Sequence, residues 1–444
     1  MNPELLSLIG ILLATAFFIV AVFKGFHVTI VSIFGAVIVS IFSNMDIMTT
    51  LTGTFMSGLS STYGAYFLLF FFSALFAKSL GDSGAAQAIA FKIAGLAKKF
   101  PGKEKLMAIL SLILIQTIFT LGGISLFVVT FTVLYIAKSL FEELNVPWRL
   151  YTLGSVGTST FTAGLIPGTP QLTNLIPMDY FGTPATAAPV LSIICTAFCL
   201  ALCMVWVVRQ VKVAERKQEG FEPSGTALLS SWDSSKDAQR IELPLWKCLL
   251  PSVILFIVLN ALKQPAVIAL FCATLSAYLI FDIRIQFPKI KGGALTAVQN
   301  TNQALIALAS ATGFGRVVAS AVGFQYIISG LENLPGPPVV QMIVSINVAA
   351  GFAASSSTGQ RLALDMLGDR FLAFGIAPAA LHRLSAISSL GLDTLPHSSA
   401  LANTFSMCKL DYKTAYINNF VISVVITLIT ACFAGLLITF GLTF

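Results

Sequence analysis

Read along its length, the chain alternates continuous apolar runs with short polar connections. The runs fall at roughly residues 5–23, 28–42, 65–76, 106–120, 125–137, 189–208, 249–262, 266–281, 304–308, 339–354 and 421–444. Continuous runs of this length predict helices buried on all sides or facing lipid, because an outer-membrane barrel strand alternates apolar and polar positions over about ten residues. A span takes about 20 residues, so the chain has room for about 10–12 spans. Only one long polar stretch interrupts the pattern, residues 209–242, with mixed charges and the Ser/Asp-rich run 230–237. This predicts an N-terminal membrane unit over 1–208, a polar cytoplasmic linker over 209–244 and a C-terminal membrane unit over 245–444.

Composition sharpens the class. Of 444 residues 56% are hydrophobic and 10% charged, against about 25% charged in ordinary soluble chains. So few charges cannot cover a water-facing surface. A net charge of +7 can signal nucleic acid, but here the basic residues lie in short loops between apolar runs, which fits a membrane surface and no nucleic-acid partner. The 7 cysteines have no CxxC spacing, so they read as small hydrophobes with no metal or cofactor implied. The first run has no Lys or Arg before it and is long enough to span, unlike a cleaved signal peptide.

Transporters are commonly built from inverted repeats whose interrupted helices form a site at mid-membrane. Leu165-Ile166-Pro167-Gly168-Thr169-Pro170-Gln171-Leu172-Thr173-Asn174 aligns with Thr394-Leu395-Pro396-His397-Ser398-Ser399-Ala400-Leu401-Ala402-Asn403 at a constant separation of 229 residues. At the same separation an amphipathic stretch over 83–100 falls opposite 312–329, and Gly122 falls opposite Gly351. The first stretch and its exit carry Lys92, Lys98, Lys99, Lys103 and Lys105, whereas its counterpart carries only Arg316 before Pro335. The positive-inside rule therefore puts the two on opposite sides and makes the repeat inverted. Counting spans back from the first stretch places Lys24 inside and the N-terminus outside.

Pro, Gly, Ser, Thr and Asn packed between apolar runs cannot continue a helix, since proline lacks a donor and clashes with the preceding turn. Backbone freed at membrane depth must be met by protein or by a water-filled cavity, and the half-helix beyond the break offers a positive dipole end to an anion. Candidate ligands are Gly168, Thr169, Gln171, Thr173 and Asn174 at the first break, and His397, Ser398, Ser399 and Asn403 at the second. Ser355, Ser356, Ser357 and Thr358 mark a re-entrant hairpin tip, with Ser125, beside Gly122 and Gly123, as its mate. Serines and threonines in membrane helices also bond back to carbonyls or let helices pack closely. Asp393 and His397, a turn apart if helical, either exchange protons with the cavity or form a polar hairpin at the interface. Arg361 either meets an anionic substrate or pairs with Asp365. His382, Arg383, Asp369 and Arg370 read as ordinary loop charges, and Gln299, Asn300, Asn302 and Gln303 as groups lining the path or bonding between helices.

Three segments carry a family resemblance: Ser83-Gly84-Ala85-Ala86, Gly122-Gly123-Ile124-Ser125-Leu126-Phe127, and Ala311-Thr312-Gly313-Phe314-Gly315-Arg316-Val317-Val318. Together they resemble the gluconate:proton symporter (GntP) family of the ion transporter superfamily, whose members also include citrate and dicarboxylate carriers. The resemblance implies an all-α polytopic fold of two inverted repeats, with re-entrant hairpins and broken helices. It also implies proton-coupled import of a small organic anion by an elevator-like movement, and a homodimer. The chain departs from the gluconate carriers at two places. Ile166-Pro167-Gly168-Thr169-Pro170 stands where they have His-Pro-Gly-Pro, and Thr394-Leu395-Pro396-His397-Ser398 where they have Ser-His-Val-Asn-Asp. A less hydroxylated acid than gluconate, such as a short hydroxycarboxylate or a citrate-like acid, fits these changes.

The sequence thus reads as a multi-pass plasma (bacterial inner) membrane symporter for a small carboxylate, coupled to a proton through Asp393 and His397, or alternatively to sodium as in citrate and dicarboxylate carriers. An enzyme is disfavoured because neither HExxH nor a pair of intramembrane Asp-Gly motifs occurs, and a channel because channels are usually symmetric oligomers around one pore.

Overall fold

The computed structural model describes residues 2–121, 126–169, 171–231, 243–262, 264–281, 283–332 and 334–444. All regular structure among them is helical. Helix starts follow local chemistry. Asn2 caps α1 (Pro3–Phe23) by accepting from the Glu4 N–H at 3.0 Å, with Pro3 and Glu4 in the first turn, where a fixed φ and a negative charge both favour the helix. His27 caps α2 (Val28–Phe42). Asp46 caps the short α3 (Ile47–Thr49) at 2.7 Å, which widens through a π-helical stretch, Thr50–Phe55, into α4 (Met56–Asp82).

The first half continues with α5 (Ala85–Ala97), α6 (Glu104–Leu121) and α7 (Leu126–Glu143). A 3-10 segment Trp148–Gly154 and a π stretch Val156–Thr160 lead into α8 (Phe161–Gly164), a break, α9 (Leu172–Phe181) and α10 (Pro189–Arg216). The helix α10 runs eight residues past the expected start of the linker. A short α11 (Thr226–Ser231) follows.

The second half repeats this order: α12 (Leu245–Phe256) with a π stretch to Ala261, α13 (Ala266–Ile280), α14 (Ile283–Ser320), α15 (Val322–Glu332), α16 (Pro338–Phe352), α17 (Ser356–Ala373), α18 (Pro378–Ser388), a break, α19 (Ser399–Met407), and α20 (Tyr412–Asn419) joined by a π stretch to α21 (Thr427–Thr439). The expected pairing of 83–100 with 312–329 is displaced. Residues 312–320 end the long α14, and the counterpart of α5 is α15. The constant separation fails there because the stretches before and after the breaks differ in length between halves.

The counterparts α4 and α14 run antiparallel. Asp82 and Lys78 lie beside Gly293, the Tyr63 hydroxyl donates to Asn302, Arg316 donates to Ser57 Oγ at 2.7 Å, and Gly58 abuts Gly313. An antiparallel pairing of equivalent helices is what inversion requires. The turns sort accordingly. One face gathers Lys105, whose Nζ donates to Glu219 O at 2.5 Å, the Arg149–Glu219 pair at 2.5 Å, and Trp148, whose Nε1 donates to Cys408 O at 2.8 Å. The opposite face gathers Ser7, Ser43 and the start of α15, where Ser7 Oγ meets Ser43 Oγ at 2.7 Å and accepts from Gly323 N at 2.8 Å.

Five described helices are long and apolar enough to cross a membrane alone: Pro3–Phe23, Ile47–Asp82, Glu104–Leu121, Pro189–Arg216 and Tyr412–Thr439. A sixth is possible if Lys291–Ser320 and Val322–Leu331, bent by 66°, act together. The other apolar helices, among them α2, α13 and α16, are shorter than a span. Outward-facing side chains are lipid-like, for example Val205 (69% exposed) and Leu279 (64%). The chain is an all-α polytopic membrane protein.

Helices in lipid associate through close packing of small residues. A Cβ on Gly58 would stand 2.8 Å from Gly313 Cα, whereas Gly64 on the same helix has open space. Gly58→Ala is therefore expected to lower the melting temperature in detergent by an amount equivalent to about 1–3 kcal/mol of overpacking. Gly64→Ala should leave it unchanged or raise it through helix propensity. Equal effects of the two would show that this crossing does not limit stability.

Candidate functional site

Pro167 and Gly168 end the first helix path. Gly168 takes φ +79°, the left-handed region glycine adopts without strain, and its N–H donates to Ala185 O at 3.0 Å. The carbonyls released there have named partners. Ser192 of α10 donates to Leu165 O, and the Thr173 hydroxyl donates to Ala163 O. Gln171 Nε2 reaches back to Thr120 O at 3.0 Å, near the end of α6.

The largest contribution comes from the other half of the chain. Arg383 of α18 is fully buried. Its Nη1 donates to Gly164 O at 3.0 Å and to Asn174 Oδ1 at 2.9 Å, and its Nη2 to Ala187 O at 3.0 Å and Ala185 O at 3.4 Å. Asn174 Nδ2 in turn donates to Thr169 O at 2.9 Å and Ala185 O at 3.0 Å. His382 stands beside it, its Nδ1 2.7 Å from Thr183 Oγ1 and its Nε2 3.4 Å from Asn174 Oδ1. Reading His382 and Arg383 as loop charges is therefore wrong. Pro378 opens a helix in which every residue from Ala380 to Ser388 is buried. The same helix pair is tied again by Gln360 of α17, whose Nε2 donates to Thr173 O and Ser385 Oγ, both at 3.0 Å.

At the second break, residues 389–398, the chain forms successive turns with no helix, so Asp393 and His397 are not stacked on one helical face. His397 Nε2 donates to Gly351 O at 2.8 Å, and its ring stands edge-on to Phe18 and Phe314. Asp393 faces Ser356 across the gap to the hairpin. The Ser399 N–H reaches Ala354 O at 3.4 Å, and Tyr416 donates to Thr394 O at 3.3 Å.

The hairpin between α16 and α17 is tight. Ala354 has φ +54°, Ser355 caps α17 by accepting from Thr358 N at 3.4 Å, and a Cβ on Gly359 would run into Ala350. Ser355, Ser356 and Ser357 are half-buried and Thr358 is exposed. Arg361 and Asp365 form no ion pair among the described residues; Asp365 instead accepts from the Tyr180 hydroxyl. Ser125, the expected mate of the serine run, lies outside the described residues.

Several buried polar atoms lack a protein partner: Thr169 Oγ1, Asp393 Oδ1, Thr394 Oγ1, His397 Nδ1 and both amide atoms of Asn403. Buried polar atoms are nearly always hydrogen-bonded; other unpartnered ones are scattered through the bundle, and these lie on the two breaks. Ser398 and Asn403 are each 1% exposed. A polar cavity of about 40 Å³ joins the halves, with Gln116, Thr130, Tyr151 and Thr158 on one side and Thr394, Thr404 and Asn419 on the other. No charged side chain lines it, and its volume is enough for water or a small cation. Tyr151 and Asn419 were missed by sequence reading. Neither sits in a motif, and only the fold brings them to the break.

These features define the class: a helical membrane protein in which two interrupted helices and a hairpin tip meet around buried, unsatisfied polar groups. The chain is 28% identical, over an alignment of 471 positions, to a Bacillus subtilis (strain 168) protein described as the uncharacterized transporter YxjC, covering 95% of this chain and 97% of that one. A crystal structure of the Alcanivorax borkumensis YdaH transporter covers 89% of this chain and 90% of its own at 16% identity, with a TM-score of 0.34. That superposition is too loose to bear on the site. No protein-family model matches the chain.

Because Arg383 satisfies three main-chain carbonyls with a forked, planar head, a point charge cannot replace it. Arg383→Lys and Arg383→Gln are both expected to lower the melting temperature strongly, on the scale of about 3 kcal/mol or more for breaking a buried charged network. Asn174→Ala should do likewise. A thermal profile of Arg383→Lys matching the parent would show that charge alone holds the break.

Proposed function

We propose that the chain is a secondary active transporter importing a small organic anion, a carboxylate or hydroxycarboxylate, by cation symport across the plasma (bacterial inner) membrane. The observation that carries this reading is Asn403, 1% exposed on the first turns of α19 with neither amide atom bonded to protein. An amide so placed offers a donor and an acceptor to a ligand. The half-buried Ser355, Ser356 and Ser357 of the hairpin, whose Ala354 carbonyl meets the start of α19 at Ser399, together with Ser398 and Ser399 supply hydroxyls suited to carboxylate oxygens. Thr169 and Gln171 supply the first-half contribution. The relative described as a transporter over its full length supports transport as the activity and argues against an enzyme.

Import of a monoanion into a negative-inside cell costs about 2.3 kcal/mol per 100 mV. One co-transported cation cancels that charge, and a second lets the potential drive uptake. Proton coupling is favoured by Asp393, whose Oδ1 has no partner. Sodium coupling at the first break is disfavoured because the oxygens a sodium ion would take, Gly164 O, Ala185 O, Ala187 O and Asn174 Oδ1, already hold the Arg383 guanidinium. A sodium-coupled citrate- or dicarboxylate-type carrier is the second reading, using the carbonyls of the second break.

The packing supports alternating access. Arg383, Gln360 and Gln171 tie α6, α9, α17 and α18 into one group, while α1, α2, α4 and α13–α15 pack on one another as a supporting frame, on which α19 packs through α14 and α7 through α4. An elevator-like slide of the first against the second needs no unfolding of either. The membrane units span 1–208 and 245–444 around the linker 209–244, the lysine-rich face is cytoplasmic, and two copies form a dimer.

The test is thermal stability of the purified protein against gluconate, 3-hydroxybutyrate, lactate, citrate and succinate, with and without sodium, since a ligand of the folded state raises the melting point by mass action. One acid is expected to stabilise without sodium, and Asn403→Ala should keep the parental unliganded melting point while losing both that shift and uptake in proteoliposomes. Uptake by Asn403→Ala at the parental rate would sink the site. Asp393→Asn should abolish pH-driven accumulation and spare substrate exchange; equal loss of both would remove the proton role.

A further inference from the structure

A second cavity, of about 250 Å³, opens on the lysine-rich face where the α1–α2 turn, α14 and the end of α19 meet. It is close to the lower end of small-molecule pockets, about 300 Å³. Its wall alternates apolar surface from Val22, Ala307 and Phe405 with the polar side chains of His27, Gln303, Lys409 and Asp411.

Several observations point to an anion. Lys409 is half-buried and forms no ion pair with Asp411 or any other carboxylate among the described residues. Burial pushes its ammonium below the ordinary lysine value, and the same ammonium, after burial itself, pushes the His27 imidazole down. The half-buried Lys409 ammonium and the exposed His27 imidazole therefore lie close enough for a charge on one to oppose a charge on the other. Lys409 also sits at φ +50°, a left-handed position that glycine or asparagine ordinarily takes at a helix end, so a long cationic side chain stands where the backbone would prefer none. His27 Nδ1 accepts from Thr29 N at 3.3 Å, which leaves the proton on Nε2 as a donor. The start of α20 has no side-chain cap, and its first residue, Tyr412, lines the same cavity. Lys24 and Lys413 lie on the same two turns, against the single carboxylate of Asp411.

We propose that this cavity is a second anion site, taking the carboxylate or phosphate group of a ligand between Lys409 and His27, at the seam between the supporting frame and the α19 helix that carries Asn403. Ala402, Phe405 and Ser406 of α19 line it, so an anion held there touches the helix of the transport site from the cytoplasmic side. The assignment rests on the transport reading only for its place in a pathway; the site's chemistry stands without it.

The probe is alkylation of Gln303→Cys, at an exposed lining position, read at that peptide by mass spectrometry in phosphatidylcholine nanodiscs. Inorganic phosphate or succinate is expected to slow labelling about fivefold at a few times its dissociation constant, against matched sodium chloride. Adding Lys409→Gln should remove the slowing and Lys409→Arg retain it. Slowing seen only when phosphatidylglycerol is included, and lost with Lys409→Gln, assigns the site to a lipid headgroup. No slowing in either setting, or slowing indifferent to Lys409→Gln, overturns the site. Carboxylate uptake by the same Gln303→Cys protein is measured in parallel. Uptake without protection sinks only this site, and protection without uptake sinks only the transport reading.

Discussion

The structure depends on how it meets one demand: a helix interrupted among lipid-facing helices releases backbone carbonyls and N–H groups that no water is there to bind. At the first break the answer is a guanidinium. Arg383 is a cation of fixed charge whose planar fork reaches four oxygens at once, and it spreads its charge over the oxygen ends of several dipoles in place of a carboxylate. Placing an arginine at the centre of a membrane helix costs about 2.5–3.5 kcal/mol on insertion scales. Four charged hydrogen bonds at about 1.5–3 kcal/mol each offset that cost, provided all four acceptors stay where they are. The arginine and the break thus require each other.

The consequence for architecture is that the two halves of the chain cannot be treated as independent bundles. Arg383 belongs to the second half and completes the first break, and Gln360 belongs to the second hairpin and bonds to Thr173 of the first. The second break is met differently, through His397 to Gly351, Ser399 to Ala354 and Tyr416 to Thr394, all partners from its own half. Two equivalent positions in an inverted repeat have therefore reached chemically different solutions. The first is filled by a charged group and leaves Thr169 Oγ1 and Arg383 Nε unpartnered, whereas the second holds no lysine or arginine among the described residues and keeps unsatisfied atoms on Asp393, Thr394, His397 and both ends of the Asn403 amide. That asymmetry is why the function proposed above gives the first break a supporting role and the second the ligand and coupling ion.

Much of the fold was legible because lipid simplifies the pattern. Continuous apolar runs can only be helices there, and α1, α2, α10 and α16 fall close to their runs. The breaks were legible because Pro167 and Pro396 cannot sit inside a helix without local loss of bonding, and Gly168 beside the first is free to turn into the left-handed region. What escaped is instructive. Asn174 and Asn403 occupy matching positions in the two motifs, so sequence gives them one role, yet the fold bonds Asn174 through both its donor and its acceptor and leaves Asn403 unbonded. Arg383 was misread because a His-Arg pair after Gly375 and Pro378 resembles a loop. Proline at the first helical position followed by Ala379 and Ala380 was the contrary signal, and a helix recognised there makes a buried arginine a functional residue by default.

The same asymmetry bears on coupling. A transporter that loads a mobile cation at both breaks must empty and refill both in every cycle. Under the symport reading proposed above, the first break carries its cation covalently, on α18, and that cation needs no exchange. Any charge that changes during the cycle is then confined to the second break, where the carboxyl of Asp393 faces Ser356 of the hairpin tip, and to the anion itself. On that reading the ion and the substrate share one hairpin, so closing the tip over the anion also closes it over the carboxyl. A single gate is enough to forbid movement of either one alone, which is the requirement for tight symport.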